Sequence, residues 1–197
     1  MDILNWFSAI LLLCTSISLL ISRDWRWSLG ILAIQYLGVF WQVLLSWPVG
    51  MAAVKLITGW MVCAVLGIAE ASLSRSNIVL ADASWPKGLA FRILIAGLVF
   101  LVAFDSVSPL VEWLGIMGDQ RAWGSIFLIG MGILHLGTSN QPLRVIIGLL
   151  TVLAGFEIIY SAVEPSILVA ALLAIVNCGM ALVGAYLVTY MGIEKIS

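Results

Sequence analysis

Charged side chains inside long apolar runs are the residues of this chain that could do chemistry. Glu157 lies in the run Val145–Val163, which is otherwise almost uncharged, and Lys55 lies early in the run Met51–Ser72. An ionised side chain at such depth costs several kcal/mol unless it is paired, hydrated or neutralised. The next apolar run carries Asn177, a potential hydrogen-bonding partner. This pattern favours the handling of protons or ions.

The composition defines the class of protein that holds these groups. Of the 197 residues, 63% are hydrophobic and only 10% are charged, with a mean hydropathy of +1.17. Soluble globular domains carry about 25% charged residues. Several runs approach the ~20 apolar residues that cross a bilayer as a helix. We therefore expect an all-α polytopic membrane protein, whose net charge of −1 gives no indication of a nucleic-acid partner.

Seven transmembrane helices are predicted from the apolar runs. They cover about Ile3–Ser22, Ser28–Trp47, Met51–Ser72, Leu89–Ser106, Ala122–Thr138, Val145–Val163 and Ser166–Met191. The mixed segment Val107–Arg121 is predicted as an interfacial turn or short helix. The polar stretch Ser74–Gly88 predicts a boundary between a three-helix half, residues 1–88, and a four-helix half, residues 89–197.

The charges between the spans predict the orientation. An odd number of spans puts the termini on opposite sides. The connectors after spans one, three, five and seven carry Arg23, Arg26, Arg75, Lys87, Arg144 and Lys195. The opposite side carries Arg121 among the acids Asp2, Asp105, Glu112, Asp119 and Glu164. Because basic loops stay in the cytoplasm, we expect the N-terminus outside and the C-terminus in the cytoplasm.

This topology places the two embedded charges at similar depths. Lys55 lies roughly 7 Å and Glu157 roughly 10 Å below the outer ends of their spans, at 1.5 Å per residue. An ion pair between them would lower the cost of burying either charge. The alternative for Lys55 is that its long stem reaches the interface.

Other polar residues within the spans have both structural and functional interpretations. Gln35 and Gln42 are seven residues apart and share a helix face. His135 is the only histidine, which excludes a histidine-based metal cluster and leaves a structural role or a proton relay. Asn177 either belongs to an ion path or only joins two helices. Arg92 is expected to extend to the cytoplasmic interface.

Familiar catalytic patterns are missing from the sequence. There is no GxxxxGK[ST] loop, no HExxH and no CxxC. The three cysteines are expected to be small buried hydrophobic residues; they are Cys14, Cys63 and Cys178. We therefore predict no cofactor, no metal site and no catalysis by this chain alone.

Short motifs resemble a family of respiratory membrane subunits. One motif resembles the basic connector and helix start of the K-type subunit of respiratory complex I; it is Leu143-Arg144-Val145-Ile146-Ile147-Gly148, preceded by Asn140. The K-type subunit is itself related to the C-type subunit of multisubunit sodium/proton antiporters. A longer resemblance, to hydrogenase-4 component E, is carried by Arg26, Gly30, Gln35 and Lys55.

The resemblance implies a fold, a location and a set of partners. It implies a multi-pass subunit of the inner (plasma) membrane in which residues 122–191 form the K-type-like helices. The partners would be lipid and antiporter-like and other membrane subunits, in which redox chemistry drives proton or sodium movement. The family carboxylate positions correspond to Leu150 and Leu153, whereas Glu157 lies two turns beyond Leu150. Either the acidic site has moved along the helix or the proton step has been lost.

Two alternatives from other classes follow from the same residues. One is a self-standing ion transporter or channel that uses Glu157. The other is a purely structural subunit in which small residues allow close packing; these are Gly148, Gly155, Gly179 and Gly184. The candidates for a proton or ion path are Glu157, Lys55, Asn177, His135 and Gln35.

Overall fold

A computed structural model describes residues 2–75, 88–115 and 117–194 of the chain. These residues form seven helices and no strands, as the apolar runs predict. The helices are α1 Asp2–Ile21, α2 Trp25–Leu44, α3 Val49–Arg75, α4 Leu89–Leu114, α5 Asp119–Thr138, α6 Pro142–Val163 and α7 Ile167–Glu194. Five of them, α2, α3, α4, α6 and α7, are long and apolar enough to cross a membrane.

The helices pack as two facing rows. One row contains α3, α2 and α1, and the other contains α7, α6 and α5. Opposite members face each other, α3 against α7, α2 against α6 and α1 against α5, while α4 lies at the edge against α5 and α1. The sequence predicted two halves, residues 1–88 and 89–197. Their status as separate domains stays a prediction, and most of the proposed boundary, residues 76–87, lies outside the described residues.

Glycines allow the second row to pack closely. A Cβ at Gly148 would lie 3.1 Å from the carbonyl oxygen of Gly132, and one at Gly155 would lie 2.7 Å from that of Ser125. Helices α5 and α6 therefore approach backbone to backbone, as small residues at an interface permit. The close packing expected of Gly148, Gly155 and Gly184 is confirmed. The expectation is wrong for Gly179, where a Cβ would meet nothing within 4 Å.

Helix α4 is longer than the sequence predicted. The segment expected as a separate turn or short helix continues α4 through Pro109 to Leu114, and α5 begins at Asp119. Proline removes one backbone hydrogen-bond donor and destabilises a helix. The helix continues past it here because the next turn packs against other helices. Val107, Leu110, Val111 and Leu114 pack against the apolar core.

The described residues form three apolar clusters, and two of them lie on either side of the candidate site. The first cluster includes Leu32, Leu66, Ile147 and Leu150. The second includes Val39, Ala52, Ala154 and Ile158, further toward the end where α2 joins α3. A short polar layer lies between them on α2, α3, α6 and α7, and this layer contains the candidate site.

Candidate functional site

The central contact of the polar layer joins Lys55 and Glu157. Lys55 Nζ donates to Glu157 Oε1, and the two side chains are 3% and 1% exposed. Lys55 lies less than two turns after the start of α3 and Glu157 less than two turns before the end of α6, so antiparallel helices bring them to one level. The ion pair hypothesised from depth is confirmed, and the alternative that Lys55 extends to the interface is wrong.

Asn177 completes the coordination of one carboxylate oxygen. Its Nδ2 donates to Glu157 Oε1 at 2.9 Å and also to the carbonyl oxygen of Leu173 at 3.0 Å, one turn earlier on α7. Both amide protons of Asn177 are therefore used. Because the side chain is held from its own helix, it presents a fixed donor to Glu157. Buried charges are tolerated only with such additional hydrogen bonds.

Tyr36 is a member of the site that the sequence analysis missed. Its hydroxyl donates to Asn177 Oδ1 at 3.3 Å, and the side chain is 2% exposed. The ring lies against Gly59 of α3, where a Cβ would overlap it. A tyrosine in an apolar helix is ordinarily a packing residue. The one signal for a special position is Gly59, which leaves room for the ring. That pairing between α2 and α3 is not visible in the sequence.

Gln35 lies beside this network without joining it. Neither its amide nitrogen nor its carbonyl oxygen has a hydrogen-bonding partner, although the side chain is 1% exposed. It lines a narrow gap between α2 and α6 together with Tyr36, Thr151 and Ala154. Glu157 also has one unpartnered oxygen, Oε2.

His135 lies at a different level from the ion pair. It is 4% exposed near the end of α5, and its ring faces the backbone carbonyl of Leu19 on α1. The structure therefore groups Lys55, Glu157 and Asn177, places Gln35 next to them, and separates His135 from them. Its predicted part in an ion path stays a prediction.

Buried arginines surround His135 at that end of the bundle. Arg92 donates to the carbonyl oxygen of Leu20 at 3.0 Å, and Arg144 donates to that of Ser22 at 2.8 Å. The expectation that Arg92 extends to the interface is wrong, since the residue is 4% exposed. The unpaired carbonyl groups at the end of α1 attract its guanidinium, as expected at a helix C-terminus.

A second arginine site at the opposite end was also missed. Arg121 of α5 donates to Ser46 Oγ at 2.6 Å and to Ser161 Oγ at 3.1 Å. The residue is 8% exposed, and its Nε has no partner. Serines are common in helices, so nothing in the sequence marked these two as arginine ligands. Ser161 lies one turn beyond Glu157, which places this positive charge between the ion pair and the end of α6.

Leu150 and Leu153, the positions that the resemblance assigns to carboxylates, are apolar in this chain and differ in burial. Leu150 is fully buried in the first apolar cluster, and Leu153 is partly buried. The described acidic group on α6 that faces the polar layer is therefore Glu157. The cysteines differ from expectation, since Cys14 is exposed and Cys63 and Cys178 are only partly buried.

The arrangement is suited to holding and exchanging a charge. A carboxylate, an ammonium group and a phenol, which are all titratable, lie together with an amide that donates hydrogen bonds through nitrogen and accepts them through oxygen. Within the described residues, no group of three His, Cys, Asp or Glu side chains could hold a metal ion. No protein-family model matches the chain, and no curated protein or solved structure is significantly similar to it.

Proposed function

We propose that this chain is a non-catalytic integral membrane subunit of a hydrogenase-4 or complex I-like respiratory assembly. In this role Lys55 and Glu157 contribute a charged site to the membrane arm. Protons, or sodium ions, move through that arm while redox chemistry proceeds in partner subunits. The observation that carries the proposal is the buried Lys55–Glu157 pair, supported by Asn177 between two apolar clusters.

The energetics of the pair favour a functional role over a purely structural one. Replacing a buried ion pair with well-packed apolar residues is often neutral or stabilising by about 1–4 kcal/mol. Helix packing here already has glycine contacts and two apolar clusters to stabilise it. Intramembrane ionisable residues of this kind are candidates for ion pathways and proton relays.

We further propose that all seven helices cross the membrane with the N-terminus outside. α1 and α5 have 20 residues each, long enough to cross, and they lie between helices that are long and apolar. Arg23, Arg26 and Arg144 lie at the end where α1 joins α2 and α5 joins α6. Of the other predicted cytoplasmic cations, Lys87 and Lys195 lie outside the described residues. The positive-inside rule supports placing this end in the cytoplasm.

The proposed partners come from the short resemblance to component E and the K-type subunit. Arg26, Gly30, Gln35 and Lys55 support it, and Lys55 is also half of the buried pair. The test is to purify the tagged chain from its native membrane in mild detergent and identify the proteins that accompany it. Antiporter-like together with hydrogenase-like or NADH dehydrogenase-like subunits would support the proposal. Recovery of the chain alone would contradict it.

A self-standing ion transporter is the second candidate. One observation favours it, namely that four helices of this single chain supply a hydrogen-bonded network around Glu157. Reconstitution of the purified chain in liposomes tests it directly. Ion flux that disappears in Glu157→Gln would support this candidate, and flux equal to that of protein-free liposomes would exclude it.

A further inference from the structure

Three buried polar atoms near the ion pair have no partner in the protein. They are Oε2 of Glu157 and both amide atoms of Gln35. Both residues are 1% exposed, so neither bulk water nor lipid headgroups satisfy these atoms from outside. Buried polar groups in proteins are almost always hydrogen-bonded to protein or to ordered water. The two residues therefore require an explanation.

The gap between α2 and α6 has Gln35 in its wall and ends one turn before Glu157. Gln35 of α2 and Ala154 of α6 line it together with Tyr36 and Thr151. Ala154 lies one turn before Glu157, and side chains on a helix lean toward the turn that precedes them. From this rule we expect the side chain of Glu157 to lean toward Ala154, which lines the gap together with Gln35. Lys55 and Asn177 occupy its other oxygen, Oε1.

We propose that a water molecule binds between Gln35 and the free oxygen of Glu157, at the edge of the gap between α2 and α6. A water molecule there would donate to Glu157 Oε2 and accept from the amide of Gln35, which gives it the 2–4 partners that buried waters have. The gap is too narrow for water in the described conformation. Water entry therefore includes a rotation of the Gln35 side chain, whose unpartnered amide loses no hydrogen bond when it moves.

The role of this water site rests on the proposed function. An ion-handling carboxylate needs a route by which protons reach it. Lys55 and Asn177 close one side of Glu157, so the water site supplies access from the side of α2. Tyr36 forms the wall between the two sides, because it lines the gap and donates to Asn177.

Water-edited solid-state NMR on the full-length chain in liposomes tests this site. The experiment measures how fast magnetisation passes from water to individual side-chain carbons. We expect Gln35 Cδ and Glu157 Cδ to receive magnetisation several-fold faster than the methyl groups of Leu150, which is fully buried in the apolar core. In Gln35→Met, the transfer to Glu157 should fall to the rate of Leu150.

A matched variant controls for general loosening of the bundle. Gln42 lies on the same face of α2 but donates to Ser8 Oγ at 2.9 Å, away from the gap. Gln42→Met should leave the transfer to Glu157 unchanged, and Thr151→Val, which alters the wall of the gap, should reduce it. Transfer to Gln35 and Glu157 as slow as to Leu150 in the wild type overturns the inference. Because the spectra need no partner subunit, they separate a dry site from a failure of the proposed respiratory role.

Discussion

Lys55 and Glu157 form an ion pair across the diagonal of a four-helix group. α2 and α3 are neighbours in one row, and α6 and α7 face them in the other, so the pair joins helices that are not adjacent. The hydrogen bond from Tyr36 to Asn177 crosses the other diagonal, from α2 to α7. Asn177 then donates to Glu157 and connects the two contacts. The site is therefore fixed by all four helices at once.

Breaking the ion pair from one side should be strongly destabilising. Lys55→Met leaves Glu157 as an uncompensated charge in the apolar interior, and such changes cost about 3–5 kcal/mol. Thermal unfolding in detergent would detect this as a lower midpoint temperature. The double variant Lys55→Met with Glu157→Met should recover much of the loss, since it removes both charges. A double variant no more stable than Lys55→Met would argue against the buried pair.

The glycine contacts between α5 and α6 provide a second test. Gly155→Ala should destabilise the bundle, because the new methyl group would lie 2.7 Å from the carbonyl oxygen of Ser125. Alanine otherwise favours a helix over glycine by about 1 kcal/mol. Gly179→Ala, where nothing lies within 4 Å, is the matched control and should be neutral or stabilising in the same thermal assay. Equal effects of the two changes would contradict the described packing.

The contact between Tyr36 and Gly59 predicts different costs for two small changes. Tyr36→Phe removes the hydroxyl that donates to Asn177 and should cost about 0.6 kcal/mol, the mean for hydrogen bonds between membrane helices. Gly59→Ala should cost more, because its methyl group overlaps the ring of Tyr36 and moves α3 or the ring. Thermal unfolding of both variants gives the order. A tolerated Gly59→Ala would mean that the ring lies elsewhere.

The proposed orientation, with the N-terminus outside, predicts a labelling pattern. Glu164 and Asn140 are both exposed and lie at opposite ends of α6. In a background without Cys14, Cys63 and Cys178, a membrane-impermeant maleimide should label Glu164→Cys in intact cells. It should label Asn140→Cys only after the membrane is permeabilised. The reverse pattern would place the N-terminus in the cytoplasm.

The sequence predicted the ion pair because two properties of a membrane helix are nearly independent of packing. Charges stand out in an apolar run, and depth follows from the rise per residue. Lys55 and Glu157 were therefore matched before their helices were known to share a site. The existence of the helices was predictable for the same reason. The end of α4 was not, because the helix continues past Pro109 only through the packing of residues that follow the proline.

The partners of neutral and cationic groups were less accessible to sequence reasoning. Tyr36, Ser46 and Ser161 belong to residue types that occur throughout apolar helices, and their roles depend on which helices face each other. Arg92 was expected to extend to the interface. Its partner is a backbone carbonyl of α1, a group that any residue can supply and that the sequence therefore does not mark. The pairing of two opposite charges was thus predictable from the sequence. The pairing of a side chain with a neutral side chain or a backbone carbonyl was not.

In the proposed function, Glu157 handles the transported ion in a larger respiratory assembly. The direct test is ion transport by the assembly that accompanies the tagged chain, measured in inverted membrane vesicles supplied with its electron donor. The double variant Lys55→Met with Glu157→Gln, which leaves neither charge unpaired, should assemble and transfer electrons normally but lose ion transport. Glu70→Gln, which changes a partly buried acid elsewhere on α3, should retain ion transport. Ion transport per electron equal to the wild type in the double variant would contradict the proposal.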